Sequence, residues 1–149
     1  PQKRKAGKIM SEKIKLYERK AFYYETDKMG IVHHSNYIRW MEEARVAFLD
    51  EIGWSYSKLE EVGLISPVLG VNCRYLHPTV FDEEVRITVK VKELKLSKMK
   101  VGYRMENAKG EVVAEGESAH AFLLSSRPAI LKRDFPGLFE ALSREVEVD

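Results

Sequence analysis

The 149-residue chain contains a single cysteine, Cys73. One cysteine excludes an internal disulfide and fits a reducing cytoplasm. No apolar run approaches the roughly 20 residues that cross a bilayer, so no membrane span is expected. The basic N-terminus is not followed by an apolar stretch and does not read as a secretion signal. Internal repeats, low-complexity linkers and composition breaks after residue 10 are absent as well. Histidines and carboxylates do not recur at metal-ligand spacing. His33 and His34 are adjacent, a poor arrangement for sharing one ion, and His77 and His120 fall on separate strand patterns. Neither a metal nor another cofactor is expected. The net charge of +2 is no sign of nucleic acid, because Lys3, Arg4, Lys5 and Lys8 all lie within residues 1–9 and leave the remainder net acidic. Residues 1–9 read as a disordered basic extension or an appended remnant. Residues 10–149, opening at Met10-Ser11-Glu12, read as one domain.

What is present suits a moderate core: 44% of residues are hydrophobic and 32% charged. Residues 13–24 read as a first strand, ending in the β-favouring Phe22-Tyr23-Tyr24. A loop is expected over 25–34. Helical spacing then begins: Tyr37, Trp40, Met41, Ala44, Phe48 and Ile52 form one apolar stripe. Arg39, Glu42, Glu43, Arg45 and Asp50 take the opposite side, with Glu42 and Arg45 spaced for a surface or interface ion pair. Gly53 ends this helix. Ser55 or Ser57 opens a short second one through Glu61, and Gly63 stops it.

The remainder is mostly β. Residues 67–76, 83–95, 99–107 and 111–125 are rich in Val, Ile, Tyr and Phe. Ile87, Val89 and Val91 alternate with charged or polar residues, as do Val101, Tyr103 and Met105. Turns are expected at 96–98 and 107–110, and a terminal helix over 134–145 starting near Pro136. One helix cannot cover both faces of such a sheet. The expected solution is an α+β fold: an antiparallel sheet of about five strands curved around one long helix, with a second subunit burying an exposed surface or edge.

The segment Tyr23–Arg45, YYETDKMGIVHHSNYIRWMEEAR, carries the chemistry. Asp27 stands three residues before Gly30, and His33 and His34 precede the helix. A potential nucleophile or base thus lies beside a helix start, where unspent N–H groups can hold an anion.

In these residues the chain resembles the hot-dog-fold acyl-CoA thioesterases of the 4-hydroxybenzoyl-CoA thioesterase type, especially their YbgC-like branch. That branch has Asp-Thr-Asp, two variable residues, Gly-Val-Val-Tyr-His, two more, Tyr, and a helical Glu-x-Ala-Arg. Here stand Glu25-Thr26-Asp27, Gly30-Ile31-Val32-His33-His34, Tyr37 and Glu42-Glu43-Ala44-Arg45. Tyr75-Leu76-His77-Pro78 is similar to the family's strand that ends before a proline. Glu25 replaces the usual aspartate, and His33 the usual tyrosine. The resemblance implies that Asp27 is the catalytic aspartate and that His34 lends its backbone N–H to the thioester oxygen. Gly30, His33 and Tyr37 are expected to line the substrate site. It further implies an acyl-CoA or acyl-carrier-protein substrate, and an active site between two subunits of a homodimer or a tetramer of two dimers.

These residue types suit a thioester. A carboxylate of ordinary pKa, about 3.9 for aspartate, is an anion at neutral pH. It can attack the carbonyl to give a mixed anhydride, or deprotonate an attacking water. Either route makes an oxyanion, which amides near Gly30 and His34 are expected to hold, each such donor contributing about 3–4 kcal/mol. The leaving thiol, with a pKa of about 8.5, departs without strong protonation. Coenzyme A phosphates need cations, and Arg74, Lys95, Lys98, Lys100, Arg104, Arg127, Lys132 and Arg133 are the candidates. Other readings are plainer. Taken alone, Asp27 is a turn residue, His34 a helix-start hydrogen bonder and Cys73 a core residue. Gly116-Glu117-Ser118-Ala119-His120 echoes a nucleophile elbow, but within a strand pattern and without its final glycine. A non-hydrolytic acyl-thioester binder and an enoyl-CoA hydratase or dehydratase are the rival functions. The lack of a helix-turn-helix extension argues against a DNA-binding form.

Overall fold

The computed structural model describes residues 15–146. The expected extension over residues 1–9 lies outside them. The chain begins with strand β1 (Lys15–Lys20) and a 3-10 turn (Tyr23–Glu25). Helix α1 (Ser35–Glu51), a short α2 (Tyr56–Glu61) and β2 (Leu64–Ile65) follow. The long strands are β3 (Val68–Tyr75), β4 (Glu84–Leu94), β5 (Lys98–Asn107) and β6 (Val112–Ala121). The chain ends with β7 (Leu123–Leu124), β8 (Arg127–Pro128), α3 (Leu131–Asp134) and α4 (Pro136–Arg144).

Five strands form one antiparallel sheet in the order β1-β4-β5-β6-β3. Helix α1 touches β1 and β3, the two edges, as well as β4. The sheet therefore curves around the helix, as the hot-dog arrangement requires. The stripe on α1 supplies the packing: Tyr37, Trp40, Met41, Ala44 and Phe48 are all buried. They meet Val85, Ile87, Val89 and Val91 of β4 and Met99, Val101 and Met105 of β5. Each such side chain contributes about 1.5–3 kcal/mol through removal of apolar surface from water.

Four expectations are corrected. The first strand stops at Lys20 instead of reaching residue 24. The Glu25 carboxylate accepts the Phe22 N–H at 2.8 Å and the Glu25 N–H donates to the Phe22 carbonyl at 2.9 Å, so the aromatic run curls into a turn. Strand β6 ends at Ala121 rather than residue 125. Beyond Phe122 the chain forms a second sheet, β2-β7-β8, closed by Ser125 and Ser126 in left-handed conformations (φ 53° and 64°). Arg45 is not on the surface: it is 1% exposed, although its ion pair with Glu42 forms as expected, at 2.8 Å. His77 lies in the loop after β3 rather than on a strand, within 3.4 Å of Glu111.

Strand β3 differs from the other long strands. It sits at the sheet edge, and Val68, Leu69, Val71 and Tyr75 are exposed. Cys73 is half-buried and packs against the core.

Candidate active site

The segment between β1 and α1 is held by one buried carboxylate. Glu25 accepts from Arg19 Nη1 at 2.6 Å, from the Phe22 N–H at 2.8 Å and from the Trp40 indole at 2.9 Å. Its backbone carbonyl accepts the His33 N–H at 2.8 Å and the Asn36 side-chain amide at 2.9 Å. Burial pushes the Glu25 pKa up, but Arg19, the Phe22 amide and Trp40 outweigh that and hold it below the usual carboxylate range. The entry to the helix is thereby tied to strand β1 and to the helix core.

From that anchor the chain makes a small hairpin. A bridge between Thr26 and Val32 closes it, and the Asp27 N–H donates to the Ile31 carbonyl at 2.9 Å. At its tip the Gly30 N–H donates to the Asp27 carbonyl at 2.9 Å, with Gly30 at φ +79°. That left-handed conformation is what requires glycine, since a Cβ there would meet nothing. The Gly30 amide is spent on this turn. Of the amides expected near Gly30 and His34, the Gly30 N–H itself thus already has an acceptor, and Gly30 shapes the hairpin. Asp27 is half-buried, and its Oδ1 accepts the Met29 N–H at 2.8 Å. The plain turn role is thus real for one carboxylate oxygen. Oδ2 takes no hydrogen-bond donor among the described residues.

The helix start adds the histidines. His33 Nδ1 lies 2.8 Å from Ser35 Oγ and accepts the Ser35 N–H at 3.2 Å, while its carbonyl accepts the Asn36 N–H at 3.0 Å. His33 therefore caps the helix. His34 occupies the N-cap position with an exposed ring and makes no side-chain cap bond. Its backbone N–H meets no acceptor among the described residues. Its ring stacks on His33 at 4.3 Å and meets Tyr75 of β3 edge-on at 5.9 Å. Tyr37 is buried, with its ring 5.4 Å from Tyr75 and its hydroxyl donating to Thr79 Oγ1 at 3.0 Å. Burial pushes the Tyr37 pKa up, against the lowering effect of the Thr79 bonds. Thr79 also accepts the Val32 N–H on its carbonyl at 2.8 Å, so one buried threonine stitches the hairpin to the helix.

His34 and Tyr37 thus both meet Tyr75, with His33 stacked on His34, while Asp27 stands on the adjoining hairpin. No hydrogen bond joins Asp27 to His34 among the described residues. Thr79 went unrecognised in the sequence; its only local signal is its place after Pro78. Ser118 is buried within β6, on no strand–turn–helix, and is no nucleophile elbow. Among the described residues no three potential ligands cluster to hold a metal. Of the candidate phosphate binders, Arg74, Lys95, Arg104 and Arg133 are engaged by Glu115, Glu93, Glu106 and Asp134.

Comparison with known proteins agrees with this architecture. Residues 23–137 match the thioesterase-like superfamily. A putative acyl-CoA thioesterase, YneP of Bacillus subtilis, is 34% identical over 116 residues, covering 76% of this chain and 84% of that protein. A 1,4-dihydroxy-2-naphthoyl-CoA hydrolase of Thermosynechococcus vestitus is 28% identical over 111 residues, covering 74% and 76%. Among solved structures, a DHNA-CoA thioesterase of Staphylococcus aureus superposes with a TM-score of 0.83 at 33% identity, covering 88% of this chain and 89% of that one. With its hairpin, capped helix and curved sheet, this chain belongs to the thioesterase-like superfamily.

Proposed function

We propose that the protein hydrolyses acyl-CoA thioesters to the free acid and coenzyme A, with Asp27 as nucleophile or general base. The observation that carries this reading is the pairing of an unspent carboxylate oxygen on Asp27 with an unspent His34 amide at the tip of a 17-residue helix. As a base, Asp27 takes a proton from water, the hydroxide adds to the thioester carbon, and the thiolate leaves with the electron pair of the C–S bond. As a nucleophile, it forms a mixed anhydride that water then opens. In both routes the carbonyl oxygen becomes negative and the His34 N–H receives it, assisted by the positive end of the helix dipole. His33, Tyr37 and Tyr75 form the wall beside the reacting carbon, and Gly30 sets the hairpin that presents Asp27.

The relatives' names support the substrate class, since they act on acyl-CoA and on 1,4-dihydroxy-2-naphthoyl-CoA. In this reading residues 10–149 act as one domain in a reducing cytoplasm. Two copies join through the β3 edges, because an exposed, apolar, unpaired edge strand beside the site invites a second strand. A tetramer of two such dimers follows the same symmetry.

The test is thiol release from a panel of acyl-CoA esters, followed by Asp27→Asn. Release by the wild type and its loss in the folded variant support the assignment. Wild-type turnover in the variant rejects Asp27, and binding without release favours the non-hydrolytic rival. Loss of enoyl absorbance without free thiol favours the hydratase.

A further inference from the structure

A chain of polar groups lies inside the core, one to two helical turns beyond the histidines. Tyr103 Oη is 2.7 Å from Ser118 Oγ, and Ser118 Oγ is 2.7 Å from His120 Nε2. All three residues are buried, His120 to 1% exposure. They form the polar side of a small cavity of about 60 Å³, walled by Ile38 and Met41 of α1 and by Val68 and Val71 of β3. Glu42 completes the lining, with both carboxylate oxygens taken by Arg45.

The hydrogens of this chain do not close on themselves. Burial, with the Arg45 charge nearby, pushes the His120 pKa down to about 4, so the imidazole is neutral and carries one proton. If Tyr103 donates to Ser118 and Ser118 to Nε2, then Nδ1–H is left over. If Nε2–H donates to Ser118 and Ser118 to Tyr103, the phenol O–H is left over. Nδ1 is buried without a partner. Either arrangement keeps one unspent donor on the buried residues that line this cavity, where an unmet polar group costs free energy.

The cavity also lies along the site already described. Val71 and Tyr75 share one face of β3, four residues or about 13 Å apart. Tyr75 is the ring that meets His34 and Tyr37, and Val71 lines the cavity. One face of β3 therefore leads from the reacting end, at Tyr75, to the cavity that holds the polar chain, at Val71.

We propose that Tyr103, Ser118 and His120 read an oxygen at the far end of the acyl group. This rests on the acyl-CoA hydrolase reading and narrows it. The preferred thioesters carry a hydroxyl or carbonyl about 10 Å from the reacting carbon, within reach of a fused-ring or medium-chain acyl group and beyond acetyl. The buried Arg45, with Nε and Nη1 unpartnered, adds a positive field that favours such an oxygen.

The experiment compares matched esters: octanoyl-CoA with ω-hydroxyoctanoyl-CoA, decanoyl-CoA with ω-hydroxydecanoyl-CoA, and naphthoyl-CoA with its distal-ring hydroxyl derivative. The wild type is expected to favour the oxygenated member of at least one pair by about tenfold in kcat/KM. Tyr103→Phe and Ser118→Ala each shrink that ratio towards one, with the change carried in KM. Should Tyr103→Phe fail to fold by circular dichroism, Ser118→Ala carries the same readout with the loss of one oxygen. A wild-type ratio at or below one in every pair, or a ratio that the variants leave intact, overturns the proposal. Thiol release from none of the esters rejects the hydrolase reading instead. The oxygen preference is then read by calorimetry as a ratio of Kd values on wild-type protein, where a ratio of one overturns it.

Discussion

Glu25 and Asp27 stand two residues apart and meet opposite conditions. The Glu25 carboxylate is buried and accepts three hydrogen bonds, one of them from a buried guanidinium. Asp27 is half-buried at a hairpin tip, with one oxygen in a turn bond. The difference teaches what separates a structural acid from a chemical one. Partners that fully satisfy a carboxylate fix it in place and leave it nothing to give. The hairpin around Asp27 binds one oxygen and aims the group while leaving the other available. The first condition serves the second, because the Glu25 carbonyl clips His33 and Asn36 and so fixes the helix start beside Asp27.

The largest test of this contrast is Asp27→Asn. Asparagine keeps a carbonyl oxygen for the Met29 N–H, so the hairpin should persist and Tm should barely move. Thioester turnover should fall roughly 10²–10⁴-fold, the range of a lost general base. Thiol-release kinetics with thermal melts check both halves, and a large fall in Tm would place Asp27 among the structural acids.

Glu25→Gln is the reciprocal change. It leaves Arg19 facing Glu43 alone and weakens the bonds to Phe22 and Trp40. Breaking a buried pair costs about 3–5 kcal/mol. At about 2–4 °C per kcal/mol, Tm should fall by about 10 °C. Because the native pKa of Glu25 is held below the ordinary value of about 4.3, its stabilisation is complete above that pH and is lost as pH falls through the depressed native value. Melts from pH 7 down to pH 3 should therefore show the wild type and Glu25→Gln converging only at the acid end.

His120 marks a second acid-sensitive window, higher than that of Glu25. Its pKa falls from about 6.5 in the unfolded chain to about 4 in the fold, so the unfolded state takes up a proton first. Stability should decline as pH drops from 6.5 towards 4, by about 3 kcal/mol in all. His120→Gln removes that limb while leaving the Glu25 limb in place. Tyr103 and Arg45 face His120 but keep their protons throughout this range. A pH profile identical to that of the wild type would show that His120 is not buried as a neutral ring.

Much of this was legible along the chain, for particular reasons. The stripe from Tyr37 to Phe48 repeats at helical spacing and faces one core, so periodicity alone placed it. The segment from Asp27 to Tyr37 is contiguous, so a turn at Gly30 and a helix start beyond the histidines are readable in it, whereas the hairpin inside the expected loop and the cap from His33 are not. What escaped depends on distant partners. Phe22-Tyr23-Tyr24 favours a strand locally, yet Glu25 is held by Arg19 and Trp40, and the chain curls instead. Arg45 shows helical spacing to Glu42 whether it is buried or exposed; what the spacing does not reveal is that the Tyr56 ring of α2 lies under its guanidinium. Thr79 reaches Tyr37 across 42 residues, a pairing that no local pattern encodes. The Tyr103–Ser118–His120 chain was half visible, since Ser118 and His120 share a strand face, but Tyr103 arrives from β5.

The smallest expected effect sharpens the contrast at the hairpin tip. Gly30→Ala forces a Cβ into φ +79°, where it meets no atom, so the cost is backbone strain alone, about 1–2 kcal/mol. Tm should fall by a few degrees, and Gly30→Asn should recover part of it because asparagine tolerates that conformation. Relaxing the turn loosens the Gly30 N–H bond to the Asp27 carbonyl and so moves the carboxylate. Turnover should therefore fall by more than the small loss of stability accounts for, with Gly30→Asn restoring both together. A drop in Tm as large as that of Glu25→Gln would mean that the hairpin belongs to the anchor, and the division of labour between the two acids would fail.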